Sequence, residues 1–148
     1  MVFSSEKEMV EVIRNCSYLE NFTLNKPSLV KEEVTGFFGV PDLVVVHKER
    51  NQTITHAYEA KLSNWKRALV QAYKYKSFAN RSYVIMDHDR VKSVLANTDK
   101  FCRANVGLIS IEENGDVHQH YIPYFETPYS PRLETKFNKK IACELCDF

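Results

Sequence analysis

The sequence predicts an α/β domain built on a central mixed β-sheet that is flanked by helices. Three observations lead to this prediction: an apolar stripe at helical spacing near the start, short β-branched runs after it, and a return to helical spacing between later runs. The chain has 148 residues, 44% of them hydrophobic, which is enough for one hydrophobic core. We expect a single domain over residues 1–148, with its core over about 5–111 and a C-terminal extension over 112–148.

The first half of the chain predicts one helix followed by three strands. Ser5 and Glu8 have the spacing of a capping box, and apolar residues follow at helical spacing as one stripe. The pattern then changes to short apolar runs that are bounded by glycine and polar residues, which favours strands. The predicted strands cover residues 29–34, 41–47 and 54–62.

The second half of the chain alternates helices with strands. The resulting order, α-β-β-β-α-β-α-β, calls for a mixed sheet with helices on both faces. The predicted elements are helices over 65–79 and 90–103, strands over 81–86, 106–111 and 117–122, and a short helix from about Glu134.

Charge and hydropathy exclude two classes of protein. The formal net charge is +1, so the chain lacks the overall basic field of proteins that coat nucleic acid, and any such contact would need local basic charge. The first residues carry no apolar core of signal-peptide length, and no apolar stretch approaches the roughly 20 residues that cross a bilayer. We expect a soluble cytoplasmic protein with no membrane partner.

The four cysteines are too few and too scattered for a disulfide framework. Cys143 and Cys146 form one Cys-x-x-Cys near the end of the chain. A zinc site there would need two more ligands, for which His118 and His120 are candidates. The alternative is that these cysteines are ordinary reduced thiols and the histidines are surface or hydrogen-bonded residues.

Two acidic residues and one lysine interrupt apolar strands. Asp42 opens the second predicted strand, and Glu59 and Lys61 belong to the third. If these strands form a hairpin pair, the two carboxylates meet at one edge of the sheet, and Glu59 and Lys61 share a face because they are two residues apart. Charges among apolar strand residues are costly unless they pair or bind a metal. The alternative is a turn-capping Asp42 and a surface ion pair between Glu59 and Lys61.

These residue types suit metal-assisted hydrolysis of a phosphodiester. Two carboxylates a few ångströms apart repel each other unless a divalent cation neutralises both, and Mg²⁺ prefers such oxygen ligands. Mg²⁺ polarises a phosphodiester and lowers the pKa of an attacking water, and a nearby ammonium stabilises the charge that develops on phosphorus. We expect Mg²⁺ as the cofactor, with Mn²⁺ able to substitute.

The pair Pro41-Asp42 followed by Glu59-Ala60-Lys61 resembles the motif of the PD-(D/E)XK nuclease superfamily, which includes restriction endonucleases, Holliday junction resolvases and RecB-type exonucleases. The predicted order of elements also resembles the αβββαβ core of that superfamily. The resemblance implies a restriction endonuclease-like fold and a nuclease that hydrolyses DNA. It assigns catalysis to Asp42, Glu59 and Lys61, with the two acids as metal ligands.

The resemblance extends to two helices. Many members contribute an acid from the first helix, which implies that Glu6 is a third metal ligand or holds the water; the alternative is a solvated acid that favours the helix dipole. Gln71 and Tyr75 form a Gln-x-x-x-Tyr arrangement similar to that of RecB-type nucleases. It implies that Gln71 holds Lys61 or a phosphate and that Tyr75 contacts the nucleic-acid backbone, whereas a helix-forming glutamine and a core tyrosine are the alternative.

The segment after the motif is basic. Between Lys61 and Met86 there are six basic residues and no acidic one. Phosphate contacts at this place would hold a DNA backbone against the metal, although basic helix faces are often only solvated. The predicted contacts are Lys66, Arg67, Lys74, Tyr75 and Lys76.

Two other functions stay open. One is an enzyme that acts on RNA or on a special structure such as a junction or flap. The other is a catalytically silent, nuclease-like subunit of a nucleic-acid-processing or defence assembly, with the Phe37-Phe38 turn and the proline-rich end as contact surfaces. Helix-turn-helix and zinc-finger readers are missing, so sequence recognition would come from loops or from a second subunit in a homodimer or larger assembly.

Overall fold

One mixed sheet of six strands organises the part of the chain that this computed structural model describes, residues 3–19 and 28–145. The strands lie side by side in the order in which they occur in the sequence. They are β1 (Ser28–Glu32), β2 (Leu43–Glu49), β3 (Gln52–Lys61), β4 (Arg81–Asp87), β5 (Gly107–Ile111) and β6 (Val117–Tyr121).

The pairing confirms the mixed sheet. β1, β2 and β3 pair antiparallel, β3, β4 and β5 pair parallel, and β6 returns antiparallel to β5. Parallel neighbours need a crossover, and here helices supply it between β3 and β4 and between β4 and β5. As a result, one edge of the sheet contains the ends of β1, β3, β4 and β5 and the beginnings of β2 and β6. We call it the carboxyl edge.

Helices cover both faces of the sheet, as predicted. α1 packs on one face, and residues of the later helices pack on the other. None of the helices within the described residues has the length and apolar character needed to cross a membrane. The helices are α1 (Glu6–Arg14), α2 (Trp65–Tyr75), α3 (Lys92–Leu95), α4 (Thr98–Ala104) and α5 (Pro131–Leu145), with a 3₁₀ turn over His88–Arg90.

The start of α1 follows the predicted cap with one difference. The Ser5 hydroxyl accepts a hydrogen bond from the Glu8 backbone N–H at 3.1 Å. The Glu8 carboxylate accepts from the backbone N–H of Ser4 at 3.0 Å, one residue earlier than a capping box requires. Met9 and Ile13 are fully buried against the sheet, so this cap also sets which residues of the first turn face the carboxyl edge.

Two apolar clusters join the other face of the sheet to the later helices. Tyr75 at the end of α2 packs in a cluster with Phe137 of α5. Ala68 and Ala72, one turn apart on α2, pack in a second cluster with Phe101 of α4. The small alanines let the backbone of α2 approach the strands, which holds the helix firmly beside β3.

Three predicted helices have different bounds in the structure. The helix expected over 65–79 ends at Tyr75, and the next residues form turns. The single helix expected over 90–103 is divided into α3 and α4, because the Asn97 amide donates to the Ser93 carbonyl and the Thr98 hydroxyl donates to the Leu95 carbonyl, which competes with helical bonding. The last helix begins at Pro131 and not near Glu134. Proline is well suited to the first helical position.

Residues 122–130, between β6 and α5, are fastened to the end of α2 through Glu126. The Lys76 ammonium donates to the Glu126 carboxylate at 2.6 Å and to the Ala104 carbonyl at 2.8 Å. The Asn105 side chain donates to the same carboxylate oxygen at 2.6 Å, and the Glu126 N–H donates to the Asn80 carbonyl. A buried ammonium is thus neutralised by a residue from the C-terminal extension.

Candidate active site at the carboxyl edge

The hairpin of β2 and β3 brings Asp42 and Glu59 together. The pairing of Leu43 with Tyr58 places Asp42, one residue earlier, opposite Glu59. The Asp42 N–H donates to the Tyr58 carbonyl at 3.0 Å, and its carboxylate accepts from the Ala60 N–H at 2.8 Å. These two bonds fix the Asp42 side chain over the end of β3. The hairpin expected from the sequence therefore has the predicted effect on the two acids.

The two carboxyl groups are close enough to share a proton. Glu59 is only 7% exposed. Burial is the main cause that raises the pKa of Glu59 to about 7, and the negative charge of Asp42 acts in the same direction. Burial likewise raises the pKa of Asp42, against the hydrogen bond from Ala60. A buried pair of this kind holds a proton near neutral pH, and a divalent cation would remove the need for it.

Lys61 and Glu6 complete the cluster. The Lys61 ammonium lies 3.7 Å from the Glu6 carboxylate, and both side chains are partly exposed. The positive charge of Lys61 opposes the rise in the pKa of both Asp42 and Glu59, while Glu6 favours the rise for Asp42. The start of α1 thus joins the ends of β3 and β2 in one group of three carboxylates and one amine, as the sequence predicts.

Tyr75 lies in the core and contacts Glu59. Its hydroxyl lies 2.5 Å from the Glu59 carboxylate and 3.0 Å from the Val40 carbonyl oxygen, and the residue is 1% exposed. A hydroxyl that donates to the ionised carboxylate lowers the pKa of Glu59. This position does not suit the predicted contact with a nucleic-acid backbone, because no surface of the ring faces solvent. We therefore assign Tyr75 to the positioning of Glu59.

The loop before Asp42 depends on a glycine that contacts Tyr75. Gly39 has a φ of +82°, and a Cβ at this position would lie 2.8 Å from a ring carbon of Tyr75. The Gln71 side-chain oxygen would lie 3.5 Å from the same Cβ. Gln71 thus borders this loop, and no hydrogen bond joins it to Lys61 among the described residues. The predicted role of Gln71 in holding a phosphate stays a prediction.

The predicted basic surface divides into two parts. Lys66 and Arg67 are exposed in the first turn of α2, which begins at the carboxyl edge. Lys74 lies at the other end of the helix, with its ammonium 5.3 Å from the centre of the Phe38 ring. Lys76 is 8% exposed and committed to the Glu126 ion pair. We therefore remove Lys76, with Tyr75, from the surface predicted to contact phosphate.

A cleft of about 460 Å³ opens beside the carboxylate cluster. Its walls carry Asp42 and Glu6 together with two acidic residues from the end of β1 and the turn after it, Glu32 and Glu33. A cleft of similar size, about 490 Å³, lies between α1 and the β5–β6 turn and contains none of the predicted site residues. We take the first as the approach to the site because it contains the residues with chemistry.

The sequence pattern indicates the carboxylates and the lysine but does not reveal the contact between Tyr75 and Glu59. The spacing of Tyr75 on the apolar side of α2 could have indicated a core position facing β3. The predicted Cys143 and Cys146 metal site falls on side chains outside those that the structure describes. No protein-family model, curated protein or solved structure matches this chain, so the site rests on its own geometry.

Proposed function

We propose that this chain is a divalent-metal-dependent nuclease that hydrolyses phosphodiester bonds of DNA. The observation that carries the proposal is the meeting of Asp42, Glu59 and Lys61 at the carboxyl edge. A buried Glu59 carboxyl beside the partly buried carboxyl of Asp42, sharing a proton near neutral pH and with an amine next to them, is unusual among apolar strands and suits a cation. The order of the elements through β4 supports the resemblance to the PD-(D/E)XK superfamily. The three residues that meet at the carboxyl edge are also those that carry its motif.

Each side chain has a role in this proposal. Asp42 and Glu59 hold Mg²⁺ or Mn²⁺, and Glu6 is available as a third oxygen ligand or as the acceptor of a water molecule. A cation held there would supply Lewis-acid chemistry, polarising the phosphodiester and lowering the pKa of the attacking water. The Lys61 ammonium, which now lies against Glu6, stabilises negative charge that develops on the phosphoryl oxygens.

The first turn of α2 provides a second element of substrate binding. Lys66 and Arg67 are exposed there, and the amino end of a helix adds partial positive charge. The Asn64 side chain caps this turn by accepting from the Arg67 N–H. We assign Lys66 and Arg67 to phosphates that flank the scissile bond, because α2 starts four residues after Lys61.

The test is cleavage of supercoiled plasmid by the purified chain with Mg²⁺ or Mn²⁺, with chelator as the negative condition. Lys61→Ala should lower the rate by roughly 100- to 1,000-fold, the cost of losing one charge-stabilising donor. Lys139→Ala, an exposed lysine of α5, is the matched control and should keep the full rate. A Lys61→Ala protein that cleaves as fast as this control would contradict the proposal.

A second candidate is a binding subunit without catalysis, for which the aromatic surface beside α2 is the supporting observation. Phe38, Tyr73 and Tyr129 are each about half exposed, and the rings of Tyr73 and Tyr129 stack at 6.0 Å. Exposed aromatic rings suit contact with a protein or with unpaired bases. Absence of metal-dependent cleavage on duplex, single-stranded and branched DNA and on RNA would favour this candidate.

A further inference from the structure

A group of histidines lies at the carboxyl edge, on the strands away from Asp42. His88 follows β4, Glu112 follows β5, and His118 lies at the start of β6. The sheet order places these three strand ends next to one another. One potential ligand atom from each of the three residues lies within 4.8 Å of the others. The proposed nuclease site uses none of them.

One short contact and one ring stack join the three residues. His118 Nε2 lies 2.8 Å from a carboxylate oxygen of Glu112. The His88 and His118 rings stack with their centres 3.8 Å apart and their planes 15° apart. Imidazole binds a metal through the lone pair of an unprotonated ring nitrogen, so each of these rings can offer one ligand atom.

A second layer of hydrogen bonds orients the His88 ring. Its Nδ1 lies 2.8 Å from the hydroxyl of Ser110, which is fully buried, and the same hydroxyl lies 2.7 Å from His120 Nε2. Because Nδ1 of His88 is hydrogen-bonded to Ser110, Nε2 is the ring nitrogen that remains for a metal. Histidines in metal sites are commonly oriented by an outer partner in this way.

We propose that His88, Glu112 and His118 form a binding site for Zn²⁺ or a similar transition-metal ion. Two imidazole nitrogens and one carboxylate match the ligands that Zn²⁺ accepts, whereas Mg²⁺ prefers oxygen alone. The cation would displace the proton that joins His118 Nε2 to the Glu112 carboxylate, and this proton would be released to solvent. The bound ion would join the end of β4 to the β5–β6 hairpin and stabilise this side of the sheet.

This site does not depend on the proposed nuclease activity. The carboxylates at β2 and β3 offer hard oxygen ligands, and the histidine site lies at β4 to β6. The two sites can therefore be tested separately in the same chain. Asp42→Asn removes a ligand from the first site only and should leave Zn²⁺ binding unchanged.

The experiment titrates the full-length chain with ZnCl₂ by calorimetry and uses Co²⁺ as a spectroscopic probe. Because thiolates also bind Zn²⁺, the titration uses a background in which Cys143 and Cys146 are changed to serine. Within that background, Glu112→Gln is compared with Glu113→Gln, a change at the neighbouring acid. Glu112 is partly exposed, so its neutral replacement should leave the fold intact, which circular dichroism checks.

We expect one Zn²⁺ per chain, a higher melting temperature with the metal, and Co²⁺ bands without sulfur-to-metal charge transfer. Glu112→Gln and His118→Ala should each weaken Zn²⁺ binding at least tenfold, while Glu113→Gln should not change it. Ser110→Ala, which removes the orienting hydroxyl, should weaken it by roughly 10- to 100-fold. No Zn²⁺ binding, or equal binding by the Glu112→Gln and Glu113→Gln proteins, would overturn the proposal.

Discussion

Replacing Glu59 with glutamine should change how the stability of the fold depends on pH. In the folded chain, the pKa of Glu59 is about 7, against 4.5 for an ordinary glutamate. Folding therefore takes up a proton at Glu59 between these two values. The stability linked to this group is fully present below pH 4.5 and is lost as the pH rises through 7.

The expected size follows from the two pKa values. Each tenfold change in proton affinity corresponds to about 1.4 kcal/mol, so the interval from 4.5 to about 7 amounts to roughly 3 kcal/mol. Because the partner carboxyl of Asp42 is partly exposed, solvent screening reduces this value, and about 3 kcal/mol is its upper limit. Glutamine has a similar size and keeps an oxygen that can accept from Tyr75, and it does not titrate. The variant should therefore gain stability relative to the wild type as the pH rises.

Urea unfolding at pH 5 and pH 8, in the presence of chelator, measures this difference. The free energy of unfolding of Glu59→Gln minus that of the wild type should increase by up to about 3 kcal/mol between the two conditions. Glu11→Gln, a change at an exposed glutamate of α1, should follow the wild type at both. At pH 8, Mg²⁺ should stabilise the wild type but not Glu59→Gln. An equal difference at pH 5 and pH 8 would refute the assigned state of Glu59.

Two further predictions concern α2. Tyr75→Phe removes the hydroxyl that stabilises ionised Glu59, so the pH midpoint of cleavage should move upward in pH–rate measurements. The free energy of unfolding in urea should fall by about 1 kcal/mol. The control Tyr73→Phe, at an exposed ring, should change neither quantity. Lys66→Ala should weaken DNA binding, and the slope of log binding constant against log salt concentration should fall in magnitude by about 1 in titrations at several salt concentrations. Lys76→Ala should lose roughly 1–3 kcal/mol of folding stability without changing that slope. Equal salt slopes for the two lysine variants would contradict the division of the basic surface.

The carboxylate cluster could be predicted because short-range rules determine it. Strand alternation places Glu59 and Lys61 on one face, and a hairpin between neighbouring strands places Asp42 beside them. The cap at Ser5 sets the start of α1 and with it the position of Glu6. The hairpin involves neighbouring strands only, so the sequence pattern is sufficient for Asp42, Glu59 and Lys61. The contact of Glu6 with Lys61 also needs α1 to pack on the sheet.

Other features depend on contacts between distant segments and could not be predicted. Whether Lys76 is solvated or buried depends on Glu126, which lies 50 residues further along the chain. The histidine cluster forms only because β4, β5 and β6 lie side by side, which the order of elements does not determine. The division between α3 and α4 depends on side-chain bonds at Asn97 that compete with helix formation, and the apolar period does not reveal them.

The ion pair between Glu126 and Lys76 at the end of α2 makes the C-terminal extension part of the folded core. A chain shortened at residue 122 would leave the Lys76 ammonium beside the Ala104 carbonyl with no counter-charge from Glu126. It would also lose Phe137 from the cluster that supports Tyr75. The C-terminal residues therefore belong to the same core that holds Glu59, and a shorter chain that keeps the carboxylate cluster in place would have to include them.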